Sequence, residues 1–448
     1  MDVAILLVFA AVFVVGGTKV VVSERREIAR RRARDAVAKA CGLTHVHLAD
    51  ERAVVGWHGS LYVRMETVGV RARHVRVAIG GLVRSLHVVP VKRGQTGEAH
   101  VFADRDVKIG DAAFDAALLL QGPTATVRGL FTADARARAR DVFVLDAVVR
   151  ISGGSLLAEF LERRGRPVPT EDQLRALLAL AHALEPGASD LSRLVEVAHG
   201  DPVPTVRAAA LETLLQETTD VGRTRGTLRE ALRDPDAAIR LRAANGLGDE
   251  GRPTLHTLAA DASVEDGTRA AAIVALGGYL TFPRALPLLE SALSAGRTRT
   301  VCALLKVMGR GSVREAQVLL SVLERAGAPE ASPEADAIVA AAQDALLDTG
   351  APVPEDVFLR ALASSAGAAS RAAVRGLERF GTARAVPPLR DAEGRADLAR
   401  AAREAIVAIR SRLTGATPGQ VSLAGGDAGQ VSVVDSPHGR LALEEEDT

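Results

Sequence analysis

Apolar residues recur at every third or fourth position through much of the second half of the chain, and this spacing predicts amphipathic helices. The pattern is clearest in two segments, Asp201–Leu214 and Asp234–Gly248. Both begin with Asp-Pro, in which Asp can cap a helix and Pro fits the first helical turn. The apolar stripes are Val206, Ala210 and Leu214 in the first segment and Ile239, Ala243 and Leu247 in the second. Glycines that follow such stripes are expected to end the helices; they are Gly248, Gly278, Gly309 and Gly381.

In both segments an arginine follows the first residue of the stripe. Equivalent arginines recur along the chain at similar intervals. One interval, from Arg299 to Arg371, is about twice as long as the others and holds two periods. A period of about 30–35 residues with helical spacing predicts a stacked helical array, because no single unit could bury its stripe alone. The repeat positions are Asp201, Arg207, Asp234, Arg240, Arg269, Arg299, Arg371 and Arg400.

The pattern Asp-Pro-x-x-x-Val/Ile-Arg-x-x-Ala-x-x-x-Leu resembles HEAT repeats of the armadillo-like α-solenoid class. It is most similar to the short bacterial repeats that also occur in phycobilin-lyase-like proteins. The resemblance covers about 170–413. In that family the arginine usually braces the Asp-containing turn of its own or the next repeat. The resemblance therefore implies a structural role for the arginine column, and a ligand-binding ladder is the alternative.

The segment 1–22 is apolar apart from Asp2, Thr18 and Lys19. A helix needs about 20 such residues to cross a bilayer. Six arginines follow between Arg25 and Arg34, which the positive-inside rule places in the cytoplasm. The sequence therefore predicts a single-pass protein of the bacterial inner membrane with the bulk of the chain in the cytoplasm. An uncleaved export signal and a buried core helix are the alternatives.

From 42 to 160 the pattern changes to short runs of alternating and β-branched residues separated by glycines, which predicts strands. Together with a helix over about 132–145, these strands predict a small α+β domain. The motif Gly110-Asp111-x-x-Phe114-Asp115 resembles a motif of uncharacterised bacterial membrane-associated domains. That resemblance implies a fold rather than an activity, with Asp111 capping a turn and Phe114 filling the sheet.

Few residue patterns in this domain indicate chemistry. His45 and His47 share one face of a strand, as metal ligands can, although surface or half-buried histidines explain them better. Further ligands could come from His58, His74, His87 and His100. Asp111 and Asp115 could act as an acid and a base. No nucleophile motif or phosphate-binding loop accompanies them, so the sequence predicts no enzyme, no cofactor and no catalytic residue.

The amino-acid composition of the chain restricts the classes of partner and ligand that it can bind. The net charge is +1 and only 3% of residues are aromatic, so nucleic acid is an unlikely partner. The two cysteines, Cys41 and Cys302, cannot build a cysteine-rich metal site. After Leu413 the chain becomes rich in glycine, serine and acidic residues, which predicts a flexible acidic tail. Its β-prone repeats could add strands to a partner's sheet.

These observations predict a mainly α protein in which a HEAT-like α-solenoid follows an N-terminal transmembrane helix and a small α+β domain. We expect a membrane-anchored scaffold without catalysis, with protein partners on the solenoid face and membrane contact through 3–22. The alternatives are a bilin-lyase-like enzyme, or a ligand- or metal-sensing domain with the solenoid as its output. The predicted segments are the anchor 1–22, a basic juxtamembrane helix 23–41, the α+β domain 42–160, the repeat array 170–413 and the tail 414–448.

Overall fold

The computed structural model divides the chain into two units, Met1–Leu247 and Gly248–Thr448. The structure describes residues 27–50, 53–68, 74–91, 105–161, 169–187, 190–217, 219–308, 313–326, 332–364 and 367–412.

The first unit contains an eight-stranded sheet in which every neighbouring pair is antiparallel. Its order is β1-β2-β3-β4-β8-β7-β5-β6. The alternation seen in the sequence sets the two faces: along β3, Leu61, Val63 and Met65 are buried while the residues between them are half-buried. The strands are β1 Thr44–Asp50, β2 Ala53–His58, β3 Leu61–Val68, β4 His74–Gly80, β5 His87–Pro90, β6 Leu118–Gln121, β7 Ala147–Ser152 and β8 Ser155–Leu161.

Helices that precede and follow the strands in sequence complete the hydrophobic core of the sheet. Residues 27–40 form α1, which was expected to be a basic helix beside a membrane. Arg34 of α1 is instead buried and donates to Thr67 of β3 at 2.9 Å. At the other end, the capping box Thr170–Gln173 starts α5, whose leucines join the same core. The helices after α1 are α2 Ala112–Ala117, α3 Thr124–Leu130, α4 Ala133–Phe143 and α5 Glu171–Ala183.

The remainder of the first unit consists of two helix pairs. These are α6 Asp190–Gly200 with α7 Pro204–Glu217, and α8 Val221–Ala231 with α9 Ala237–Leu247. The two pairs stack, because α6 packs against α8 and α7 against α9. The predicted stripe residues of α7 and α9 are all buried in one apolar core. The helical spacing of the sequence therefore predicts correctly which faces are buried.

The described part of the second unit contains five further pairs. We call α11, α13, α15, α17 and α19 the row, because each packs against the next, and we call the helix before each of them its backing helix. The row helices are α11 Asp266–Leu276, α13 Thr298–Met308, α15 Pro333–Thr349, α17 Ala368–Phe380 and α19 Ala399–Arg412. The backing helices are α10 Arg252–Ala260, α12 Phe282–Ser294, α14 Val313–Ala326, α16 Glu355–Ser364 and α18 Val386–Glu393.

No helix in the described part of the chain combines the length and the apolar character that a bilayer crossing requires. The longest described helix, α15, has 17 residues and includes four acidic side chains. This finding corrects the predicted fold class with its transmembrane helix, the single-pass topology and the inner-membrane location, all of which are wrong. What the structure shows is a predominantly helical chain with an eight-stranded antiparallel sheet. The predicted anchor, 1–22, itself lies outside the described residues.

The predicted helix-ending glycines have different outcomes. Gly248 follows α9 with φ +61°, a conformation that favours glycine. The prediction for Gly278 is off by one residue, because Gly277 with φ +49° ends α11. At the end of α17, Gly381 has an extended backbone with φ −64°, so no left-handed turn is present there. Gly309 lies outside the described residues.

Candidate functional site

The repeat positions of the first unit form a buried chain of charges. Arg207, at the start of α7, donates from Nη1 to the Asp201 carbonyl oxygen at 2.7 Å. Its Nε and Nη2 each donate to the Asp234 carboxylate at 2.8 Å. Arg240 repeats the first contact by donating to the Asp234 carbonyl oxygen at 2.8 Å. Arg207 therefore braces its own turn and the turn of the next helix pair at the same time.

Arg136 of α4 extends this chain of charges toward the sheet. It is 2% exposed, and its Nη1 and Nη2 donate to the Asp201 carboxylate at 2.7 and 2.9 Å. Its Nε donates to Asp111 at 3.1 Å. Arg136 thus holds Asp201 as Arg207 holds Asp234. Arg136 was not predicted as a repeat position, although it precedes Arg207 by about two periods of the repeat. We call Asp111, Arg136, Asp201, Arg207 and Asp234 the buried ladder.

The four motif residues at 110–115 connect the sheet to the ladder. Asp111 caps α2 by accepting from Phe114 N, and Phe114 is buried against Phe131. The Asp115 carboxylate accepts from the backbone nitrogens of Ile109 and Gly110 at 3.1 and 3.0 Å. Each carboxylate is therefore held by donors of its own loop or helix, and Asp111 also by Arg136, an arrangement that suits a structural role better than an acid–base pair.

Asp111 remains charged although it is buried. Burial alone would raise its pKa, but the Phe114 N–H and the charges of Arg140 and Arg136 outweigh burial and hold the pKa below the usual aspartate value. A permanently ionised Asp111 suits a structural ion pair with Arg136. It does not suit a group that must exchange a proton near neutral pH.

In the second unit, the arginines of the predicted column differ in their burial and in their hydrogen-bond partners. Arg269 is buried and donates to the Ala259 carbonyl oxygen at 2.8 Å. Burial, and then the nearby charge of Arg297, lower its pKa. Arg299, Arg371 and Arg400 are exposed. The column is therefore not a continuous ladder, and three of its members lie at the surface.

In this unit, two aspartates cap the start of the next row helix. The Asp266 carboxylate of α11 accepts from the backbone nitrogens of Arg299 and Thr300 at 2.9 and 3.0 Å, which caps the start of α13. The Asp336 carboxylate of α15 caps α17 in the same way, through the backbone nitrogens of 368 and 369 at 2.7 and 3.1 Å. Both contacts span 32 to 34 residues, so they repeat with the period of the array.

The histidine pair predicted as a weak metal candidate does not gather further ligands. His47 Nδ1 lies 2.8 Å from the carbonyl oxygen of His45, and both residues are exposed or half-exposed on the edge strand β1. Among the described residues, no group of three or more His, Cys, Asp or Glu side chains is arranged to hold a metal. His100 lies outside the described residues.

A different pair of histidines makes a close contact that the sequence analysis did not predict. His58 Nδ1 at the end of β2 lies 2.6 Å from His182 Nε2 in the last turn of α5. His182 Nδ1 lies 3.2 Å from Glu185, which also accepts from Ser60. Burial, and then the charge of His182, lower the pKa of His58 against the opposing charge of Glu185. The pair joins the sheet to α5, and 124 residues separate its members in sequence, so local patterns could not reveal it.

We expect this histidine contact to make the first unit less stable in mild acid. The unfolded chain takes up a proton at His58 at a higher pH than the folded chain does, so stability falls as the pH drops through the window below about 6.5. The expected contribution is up to about 1 kcal/mol, the net value of one hydrogen bond. Urea unfolding at pH 5 and pH 7.5, followed by the fluorescence of the single tryptophan Trp57 on β2, measures it.

His58→Gln should reduce this difference between the two pH values, and the matched variant His47→Gln should leave it unchanged. An equal difference in the wild type and in His58→Gln would show that His58 does not contribute to the pH dependence.

Several exposed arginines of the row lie on α17 and α19, which pack against each other. We call this part of the row the basic surface and define it by the exposed arginines Arg371, Arg375 and Arg379 of α17 and Arg400, Arg403 and Arg410 of α19. Glu378 and Glu404 are exposed on the same helices. The stretch 367–412 contains ten arginines and five acidic residues, which gives a net charge of +5.

These arginines differ in their partners: Arg400 pairs with Glu404 at 2.8 Å and Arg371 with Asp397 at 3.9 Å, whereas two others have backbone acceptors. Arg379 donates to the carbonyl oxygen of Leu347 at 2.6 Å, and Arg403 donates to that of Ala399 at 3.0 Å. Arg375 forms an ion pair with Asp344 at 2.6 Å, in which both side chains are about half exposed. Val407 lies among these arginines with 66% of its surface exposed. The basic surface thus offers guanidinium groups and an apolar side chain together.

No family model, no curated protein and no solved structure matches this chain. The resemblance to HEAT repeats therefore stays a prediction, and the function has to be argued from the residues described above.

Proposed function

We propose that the chain is a protein-binding scaffold and that the basic surface of α17 and α19 binds an extended, acidic segment of its partner. One observation supports this proposal most directly. Consecutive row helices pack side by side, and the two adjacent helices α17 and α19 both carry exposed arginines. Guanidinium groups suit this role because they form paired hydrogen bonds with carboxylates.

The width and length of the basic surface also suit an elongated partner. Helices in contact lie about 8–10 Å apart, so α17 and α19 together offer a strip about two helices wide. The 14 residues of α19 extend over about 21 Å. A segment of about six extended residues would cover that length. Binding would depend on several spread contacts rather than on one deep pocket.

The two cysteines give little support to a bilin-lyase-like enzyme. Such an enzyme would need a reactive thiol, and the thiolate is the reactive form. Burial raises the pKa of both Cys41 and Cys302, which keeps both as thiols near neutral pH. Cys302 Sγ lies 3.7 Å from the Ala337 carbonyl oxygen between two row helices. Its position indicates a packing role.

Charge reversal on α19 tests the proposal. In the full chain, Arg400→Glu, Arg403→Glu and Arg410→Glu together should weaken binding of a fluorescein-labelled Glu/Ala peptide by about tenfold or more. Each exposed ion pair is worth up to about 1 kcal/mol and reversal adds repulsion. Fluorescence anisotropy at 50 mM and 500 mM salt measures the binding, which should also weaken with salt.

A control triple reversal uses exposed arginines that belong to no row helix, one on the backing helix α12 and two in the first unit: Arg284→Glu, Arg233→Glu and Arg225→Glu. Equal binding by the two triple variants would contradict the proposed site. A Gln/Ala peptide of the same length should bind neither protein, and circular dichroism should show that each variant keeps its helices.

A further inference from the structure

The residues that follow the basic surface in sequence have the opposite charge. Residues 413–448 contain six acidic residues and one arginine, which gives a net charge of −5 against +5 for 367–412. Four of the acidic residues are consecutive, from Glu444 to Asp447. Opposite blocks of this size attract each other when they are joined by a short tether.

The apolar residues of this segment also match the basic surface. Each of its three similar repeats contains a short apolar or β-branched run, at Val421–Leu423, Val431–Val434 and Leu441–Leu443. The third run directly precedes the four consecutive acidic residues. On the basic surface, the exposed side chain of Val407 lies among the arginines. An apolar run followed by carboxylates is therefore complementary to both features of the basic surface.

The tether is long enough for this contact. It runs from Arg412, at the end of α19, to Glu444. A chain of this length can span up to roughly 110 Å when fully extended, whereas α19 is about 21 Å long. Every arginine of the basic surface on α19 is therefore within reach of the acidic cluster.

We propose that the acidic segment 413–448 binds the basic surface of its own chain and competes there with the acidic partner. The proposal concerns the regulation of the site described under Proposed function and rests on that site being a binding surface for acidic segments. The segment occupies the surface until a partner with more carboxylates or a better apolar match displaces it. In the free protein, the acidic segment therefore covers the basic surface.

Zero-length crosslinking tests the contact directly in the full chain. The sequence has only five lysines, and Lys306 is the only one in 248–448, so a new lysine gives a distinct signal. In Arg403→Lys, a carbodiimide should join the new amine to a carboxylate of the segment. Trypsin cuts after Arg412 and Arg440, so mass spectrometry can separate crosslinks to 413–440 from crosslinks to 441–448. We expect most of the crosslinked product in 441–448.

The matched control is Arg284→Lys, an exposed position on the backing helix α12. Its crosslinking to 441–448 should be several-fold weaker. Changing the acidic cluster to Gln and Asn (Glu444→Gln, Glu445→Gln, Glu446→Gln and Asp447→Asn) in the Arg403→Lys background should abolish the signal, and 500 mM salt should reduce it. Equal yields at 403 and 284 would overturn the proposal. A crosslink found only in covalent dimers would also overturn it, since the occupant would then be a second copy.

The peptide assay separates this proposal from the function on which it rests. If both hold, neutralising Glu444–Asp447 should tighten binding of the acidic peptide by the full chain. If the crosslink is absent but the charge reversal still weakens peptide binding, only the self-contact fails. If the neutralised chain binds no peptide, the proposed binding surface fails as well.

Discussion

Replacing Arg136 by alanine should lower the free energy of unfolding of the first unit by about 3–5 kcal/mol, the usual cost of leaving buried charges without their partner. Arg136 is 2% exposed, and it supplies two hydrogen bonds to the Asp201 carboxylate and one to Asp111. The Asp201 side chain is 1% exposed. Without Arg136, this buried carboxylate would lose its two guanidinium hydrogen bonds and retain the one from the backbone nitrogen of Val203.

Urea unfolding followed by Trp57 fluorescence measures this loss, because the single tryptophan lies in the first unit. Arg138→Ala is the matched control on the same helix. Its ion pair with Asp134 is exposed, so the variant should lose less than about 1 kcal/mol. A double-mutant cycle of Arg136→Ala with Asp201→Ala should show a large coupling energy. Similar losses in Arg136→Ala and Arg138→Ala would mean that the buried ladder does not stabilise the fold.

Replacing Gly110 by alanine should destabilise the same unit by about 3 kcal/mol or more, from backbone strain and overpacking together. Gly110 has φ +98°, which disfavours any residue with a side chain. A β-carbon there would lie 2.6 Å from the carbonyl oxygen of Thr205, at the start of α7. The backbone at Gly110 cannot move away without disturbing the hydrogen bonds that Asp115 makes to this loop.

A substitution at Gly153 is a control that separates the cost of backbone strain from the cost of steric overlap. It also has a positive φ, +57°, but no atom lies within 4 Å of its would-be β-carbon. Gly153→Ala should therefore cost only about 1–2 kcal/mol, the strain of the left-handed conformation. The difference between the two urea midpoints gives the contribution of the contact with Thr205. If the two variants unfold alike, the close approach of the two backbones contributes nothing measurable.

Local patterns in the sequence were sufficient to predict single elements. The apolar stripes predicted in 201–214 and 234–248 identified the buried faces of α7 and α9. These features depend on residues within one or two helical turns of each other, which is the range that periodicity can detect. The positions of the strands could be predicted for the same reason, since alternation along β3 is local.

Contacts between distant residues could not be predicted in this way. The sheet order places β8 beside β4, and nothing in either strand specifies the other as its neighbour. The same holds for the contact of His58 with His182 and for the capping of α13 by Asp266. An aspartate at a helix start predicts a cap for its own helix, whereas Asp266 caps the next row helix. The basic surface was missed because the net charge of the whole chain, +1, conceals opposite blocks.

The hydrogen bonds between row helices in the second unit also determine how the length of this protein can change in evolution. The carboxylates of Asp266 and Asp336, and the guanidinium of Arg412, each join a row helix only to its immediate neighbour in the row. Duplication or loss of one whole pair would therefore leave the other hydrogen bonds between row helices intact, as expected for an assembly with nearest-neighbour energetics. Sequences descended from a common ancestor with this one should differ by steps of about 30–35 residues inside this unit. Shorter insertions should fall between the helices.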